Sequence, residues 1–250
     1  MNDPSKPFFL QALDALKAGD RRGAAALIGR ELREGNTAAK NLASVSQLAV
    51  HIGEIELAIE AVRRSVVPGA VETLLAYWAI LATYGRSDEA MADLERQPAA
   101  VRDHPSVLHF RGTVATQFGR FDEAEALFRR TLARIPTAMQ TWFALAMSKT
   151  FTPGDPDFAA MELLEQQPGG PPETRAALCY ALGKAAEDCG DVDGAFAFYT
   201  KGAGQRRQRG GFDHDRFGSA VDEAIRDFTP DGLAKLKPSS FEDGRSLFVT

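Results

Sequence analysis

The chain has 250 residues, 44% of them apolar and 25% charged, with a formal net charge of −5. This is a globular composition, and the acidic balance argues against nucleic acid as a main partner, since gripping a phosphate backbone needs a basic face. No apolar stretch approaches a membrane span and the opening MNDPSKPFF has charges and prolines ahead of any apolar run, so a cytoplasmic chain without membrane contact is expected.

Taken in chain order, the sequence repeats itself. A unit beginning near residue 5 holds Gly19, then Ala24 five residues on, then the bulky Ile28 four further. The same trio returns as Gly53, Ala58 and Val62 in a unit beginning near 39, and as Gly85, Ala90 and Leu94 in one beginning near 71. The unit beginning near 105 has Gly119, Ala124 and Phe128, adds Gly112 in its first half and closes on Pro136. A fifth unit, from near 139, keeps Trp142 and Leu145 but carries Pro153-Gly154-Asp155-Pro156 where a short turn belongs. There Asp155 predicts a helix cap and Pro156 the first helical position, so the connection is longer. The sixth unit, from near 176, restores the trio as Gly190, Ala195 and Tyr199, with Gly183 ahead of it.

Each position has a physical reason. The first glycine follows an apolar-periodic run and suits a left-handed helix C-cap. Acids follow it (Asp20, Glu54, Asp88, Asp122, Asp191), as helix starts prefer. The alanine marks a close approach of two helices, and Gly112 and Gly183 serve the same end from the first helix. The bulky residue one turn beyond fills the space between hairpins. Each unit is therefore an antiparallel helix pair that cannot bury its apolar face alone and must stack on its neighbours.

This pattern, with its period of about 34 residues, resembles the tetratricopeptide repeat. The resemblance implies an all-α fold: a right-handed solenoid of about six helix-turn-helix repeats over residues 5–204. Capping helices would follow over 205–237, where Phe217, Val221, Ile225 and Phe228 fall on one helical face. In the family the first helix of each pair lines a concave groove. Carrying over its positions gives one row of Phe9, Ala43, Leu75, His109, Phe143 and Tyr180, and a second of Leu13, Gln47, Ala79, Thr113, Met147 and Lys184. The groove contacts singled out are Gln47, His51, His109, Gln117, Phe143, Met147, Tyr180 and Lys184. The family's carboxylate-gripping mode is disfavoured, because only Lys184 supplies a suitable cation. An apolar or helical partner segment, or a neighbouring domain, fits Phe143, Met147 and Tyr180 better.

A second resemblance lies after the repeats. Arg206-Arg207, Phe212-Asp213, Phe228-Thr229-Pro230 and the terminal Leu247-Phe248-Val249 stand in the order found in bacterial proteins that join such repeats to a sulfotransferase domain. That implies a linker and a first strand over 238–250, cut just before the loop that binds 3′-phosphoadenosine 5′-phosphosulfate (PAPS). The chain itself would then be a protein-interaction module, not an enzyme, with no catalytic residue and no cofactor; PAPS would belong to the missing domain. A stand-alone adaptor gripping a peptide in its groove, or the repeat region of another enzyme such as a glycosyltransferase, are the alternatives. The four scattered histidines show no metal-ligand spacing, and Cys179 and Cys189 fit a reducing compartment.

Overall fold

The computed structural model describes residues 8–34, 39–207 and 212–234, and every regular element among them is an α-helix. In chain order these are α1 (Phe8–Lys17), α2 (Arg21–Glu34), α3 (Ala39–His51), α4 (Ile55–Ser65), α5 (Val71–Thr83), α6 (Ser87–Glu95) and the single turn α7 (Ala99–Arg102). There follow α8 (Pro105–Gln117), α9 (Phe121–Arg134), α10 (Met139–Ser148), α11 (Pro156–Glu165), α12 (Pro172–Asp188) and α13 (Val192–Arg207), then α14 (His214–Asp227) and α15 (Pro230–Ala234). The chain divides into two compact units, Met1–Gln205 and Arg206–Thr250. The first is a succession of antiparallel helix hairpins.

A local bonding pattern makes the hairpins. At the α8–α9 turn Gly119 has φ +71°, where an L side chain would be strained. There its N–H donates to the Thr116 carbonyl (3.0 Å), and the Arg120 N–H reaches back to the Ala115 carbonyl (2.9 Å). This Schellman pair satisfies two carbonyls that the end of a helix otherwise leaves bare, and it reverses the chain within two residues. The same two bonds recur at Gly19, Gly53, Gly85 and Gly190. Asp20 and Asp191 then cap the second helix, accepting from the N–H of Gly23 (2.8 Å) and Gly194 (2.9 Å). Glu54 sits at the matching position without such a bond.

Small residues set how closely the two helices pack. Ala24, Ala58, Ala90 and Ala124 are completely buried and Ala195 nearly so. On the first helices, a Cβ added at Gly112 would lie 2.5 Å from Phe128 Cε1, and one at Gly183 would lie 2.5 Å from the Tyr199 ring. The large second-helix ring occupies the room that the glycine leaves. The third unit inverts the arrangement: Trp78 takes the glycine's place, the facing residue is the smaller Leu94, and both are fully buried. Trp78 Nε1–H donates to Asp93 Oδ2 at 2.8 Å, so its polar edge is paired.

The fifth unit departs from the others. Its helices are joined by Lys149–Asp155, with Asp155 capping α11 through the Asp157 N–H (2.9 Å) and Pro156 at the first helical position. Freed from a tight turn, α11 packs mainly on α12, while α10 packs on α9 and α12. The first helix of the sixth unit begins at Pro172, ahead of the expected start near 176, because Pro171 and Pro172 form its N-terminus. Arg175 ties the preceding loop down by donating to the carbonyls of Glu165 (2.8 Å), Gln167 (2.8 Å) and Gly169 (3.2 Å).

In the second unit α14 has a true N-cap, Asp213, which accepts from the Arg216 N–H at 2.9 Å. Phe217, Val221 and Ile225 of the expected apolar row lie on it, Phe228 follows as its C-cap, and all four are exposed. The linker and terminal strand expected over 238–250, including Leu247, Phe248 and Val249, lie outside the described residues.

Gly112→Ala is expected to destabilise the fold by ~1–3 kcal/mol, since the new methyl group must displace a fully buried ring. In a Phe128→Leu background the same change is expected to cost much less. Urea melts of the four proteins in this cycle measure the coupling; simple additivity would mean that the two positions do not meet.

Candidate functional site

The described surface of the array deepens where three first helices stand side by side. Leu75 and Ala79 of α5, His109, Phe110 and Thr113 of α8, and Thr141 of α10 wall a cavity of about 430 Å³. Ile135 and Ala138, from the α9–α10 connection, close one side. Helical spacing puts Leu75 and Ala79, and likewise His109 and Thr113, one turn apart on the same face of their helices. The wall is mostly apolar, with Ser106 and Gln140 as polar members, and two of its hydroxyls turn toward the backbone. Thr113 Oγ1 donates to the His109 carbonyl (3.1 Å), and Thr131 Oγ1 to the Leu127 carbonyl (3.0 Å).

The imidazole of His109 belongs to the same wall. Its ring lies 5.6 Å from that of Phe128, and its Nδ1 is 3.0 Å from Thr141 Oγ1. Burial pushes its pKa below the ordinary value, so the imidazole is neutral near pH ~7.

The other residues expected in the groove have varied surroundings. Gln47 and His51 are exposed on α3, Gln117 is exposed at the end of α8, and Met147 is exposed on α10. Phe143 is half-buried and packs against the core shared by the fourth to sixth units. Tyr180 is half-buried, with its ring 6.4 Å from that of Tyr199. Lys184 donates to the Lys149 carbonyl (2.7 Å) and pairs with Asp188, so it is engaged within the fold. Of these residues the cavity takes in His109 alone, together with Leu75, Ala79 and Thr113 from the two rows. Thr141, Ile135 and Ala138 were not expected there.

A charged cluster braces the array beside α10. Lys149 Nζ lies between Asp155 (2.7 Å) and Asp157 (2.8 Å), and Arg129 clasps both Asp157 oxygens (3.1 and 2.9 Å). Asp188 accepts from the Phe151 N–H (2.8 Å), and the Lys149 ammonium sits 4.6 Å above the Phe151 ring. Burial raises the Asp157 carboxyl, but the bonds from Arg129 and Lys149 outweigh it and hold the pKa below the ordinary value. Asp188 follows the same logic: burial raises it, and Lys184 and the Phe151 N–H bring it lower.

Among the described residues no group of three or more His, Cys, Asp or Glu side chains could hold a metal ion, and no helix is long and apolar enough to cross a membrane.

No family model matches the chain. An uncharacterized protein of Aquifex aeolicus (strain VF5) is 26% identical over 155 residues, which is 62% of this chain and 19% of that protein. The chain thus spans about a fifth of the length of this curated relative. Among solved structures, MamA 41-end from Desulfovibrio magneticus RS-1 is similar with 19% identity and a TM-score of 0.45, covering 69% of this chain and 97% of that one. MamA MSR-1 C2 is similar with 17% identity and a TM-score of 0.43, over 69% and 98% of the two chains. A tetratricopeptide repeat protein from Parabacteroides merdae ATCC 43184 gives 14% identity and a TM-score of 0.38, over 87% and 97%.

The carboxylate pKa shifts set a direction for acid sensitivity. Because Asp157 and Asp188 are held below the unfolded carboxylate value of ~3.9, their contribution is fully present above it and lost as pH falls through the lower folded values. Asp157→Asn is expected to cost about 1.5–3 kcal/mol near neutral pH, the range for a hydrogen bond to a charged group. Its stability is also expected to fall less steeply than wild type on acidification. Urea melts across the acid range check both; parallel curves would remove Asp157 from the account.

Proposed function

We propose that the chain is a protein-interaction scaffold that takes a segment of a partner protein between its first helices. The observation that carries this is the open, uncharged, apolar cavity walled by α5, α8 and α10, which are braced from behind by the buried alanine and glycine contacts. A concave apolar surface on rigid elements suits the burial of a partner's side chains, and its volume of about 430 Å³ suits anchor residues rather than a large cofactor. The chain binds; it does not catalyse.

Random-peptide display tests this. Selected peptides are expected to carry apolar anchors and to lose binding to Thr113→Arg, which places a long cation in the cavity without touching the buried helix contacts. Clones that bind wild type and Thr113→Arg alike, with both proteins melting at the same temperature, would put the binding surface elsewhere.

The order of Arg206-Arg207, Phe212-Asp213 and Phe228-Thr229-Pro230 supports a finer reading, in which the array is the interaction region ahead of a sulfotransferase domain. On that reading PAPS is bound by the other domain. Calorimetry with this chain and PAPS is expected to give no binding heat. Micromolar affinity would mean that the donor site lies within these residues.

A further inference from the structure

We infer that His109, held by Thr141 with its proton on Nε2, is the specificity-determining residue of the groove and donates to a main-chain carbonyl of an extended, uncharged, apolar peptide segment. The inference rests on the groove reading above and adds the class of ligand.

The hydrogen-bond inventory leads to the tautomer. Thr141 is 3% exposed, and its hydroxyl has no partner among the described residues other than His109 Nδ1. If Nδ1 carried the proton and donated to Thr141 Oγ1, the buried hydroxyl hydrogen would have no acceptor, which is unfavourable for a buried donor. With the hydroxyl donating to a bare Nδ1, nothing is left unpaired, and a neutral imidazole must then carry its proton on Nε2. Burial, which lowers the His109 pKa, keeps the ring in that neutral form. Nε2 makes no hydrogen bond with any described residue, yet it is not a sealed-off atom. His109 forms part of the cavity wall, so this N–H is a donor on a mostly apolar surface that also carries Ser106 and Gln140.

Charge and backbone chemistry then select the occupant. The described cavity wall holds no Asp, Glu, Lys or Arg, so a carboxylate or ammonium placed inside would be unpaired and heavily penalised. An apolar side chain meets Leu75, Phe110 and Ile135 without that cost. The N–H needs an acceptor, and a main-chain carbonyl is the one every peptide brings. Inside a helix those carbonyls are already bonded to the following turn, whereas an extended segment leaves them free. The groove therefore favours an extended segment over a helical one.

The probe is the set of display-selected peptides whose binding is lost with Thr113→Arg. For these, His109→Leu is expected to weaken binding about tenfold or more, and His109→Gln, which keeps an N–H, to retain most of it. Long-range proton–nitrogen NMR spectra of the wild-type chain are expected to show Nε2 protonated and Nδ1 bare. Thr141→Val is expected to mix the tautomers and weaken peptide binding with His109 still in place, which a merely structural role would not do. Should His109→Leu fail to fold, Thr141→Val and the NMR spectra carry the test. Peptides that lose Thr113→Arg yet bind His109→Leu as tightly as wild type would overturn the inference and leave the groove reading standing. A proton found on Nδ1, or a selected peptide bound as a helix, would overturn it as well. If no selected peptide distinguishes Thr113→Arg from wild type, the groove reading fails and this inference with it.

Discussion

Close approach of two helices at a residue with almost no side chain is the constraint on which the array depends. Where Ala24, Ala58, Ala90 and Ala124 lie completely buried, two helix backbones sit near enough for dispersion contacts to be dense on both sides. Room given up at one position is taken at another, as Gly112 and Gly183 accommodate the rings of Phe128 and Tyr199. The inverse choice at Trp78 and Leu94 makes a related point, since there the large ring comes from the first helix and the smaller residue from the second, and both are fully buried. Because the hairpins are rigid in this way, the faces of α5, α8 and α10 can leave a cavity between them without collapsing into it.

Features governed by neighbours in sequence were readable from the residues. The turn at Gly119 depends on atoms within five positions, so a glycine after an apolar run, followed by an acid and then an alanine, announces it. Helix starts at Ala39, Val71, Pro105 and Met139 follow from the same local grammar. The groove was less legible because its character is decided across repeats. Thr141 meets its partner across repeats, since His109 stands 32 residues earlier in the preceding hairpin. Lys184 reads in the sequence as a spare cation, but the Lys149 carbonyl, 35 residues away, engages it. That carbonyl is in reach only because Lys149–Asp155 replaces a tight turn. Phe143 of α10 packs on the core side, beside the buried Trp142.

The irregular fifth unit shows how a repeat array tolerates a fault. Losing the glycine turn removes a pair of local backbone bonds, and the chain substitutes long-range charged ones. Asp155 serves as a cap and as a partner of Lys149, and Asp157 joins Lys149 to Arg129 of the preceding unit. Such pairs are sensitive to the loss of one member, because the remaining charge is left partly buried. The local turn has no such dependence on ionisation. One architecture thus contains two kinds of hairpin, one closed by backbone bonds at a glycine and one held by charged side chains.

The cross-links between hairpins share a property with kinetic meaning. Arg21 to the Ile52 carbonyl spans 31 positions, Arg64 to the Leu32 carbonyl 32, Arg86 to Glu56 30, and the Phe151 N–H to Asp188 37. Each of these bonds reaches about one repeat along the chain and no further. Loop-closure entropy therefore stays nearly constant from one docking event to the next, instead of growing as the structure enlarges. A chain wired this way has low contact order, and assembly can start at any hairpin and spread in either direction. During synthesis each new pair of helices already has its docking partner folded behind it, so little apolar surface waits exposed for residues still to be made.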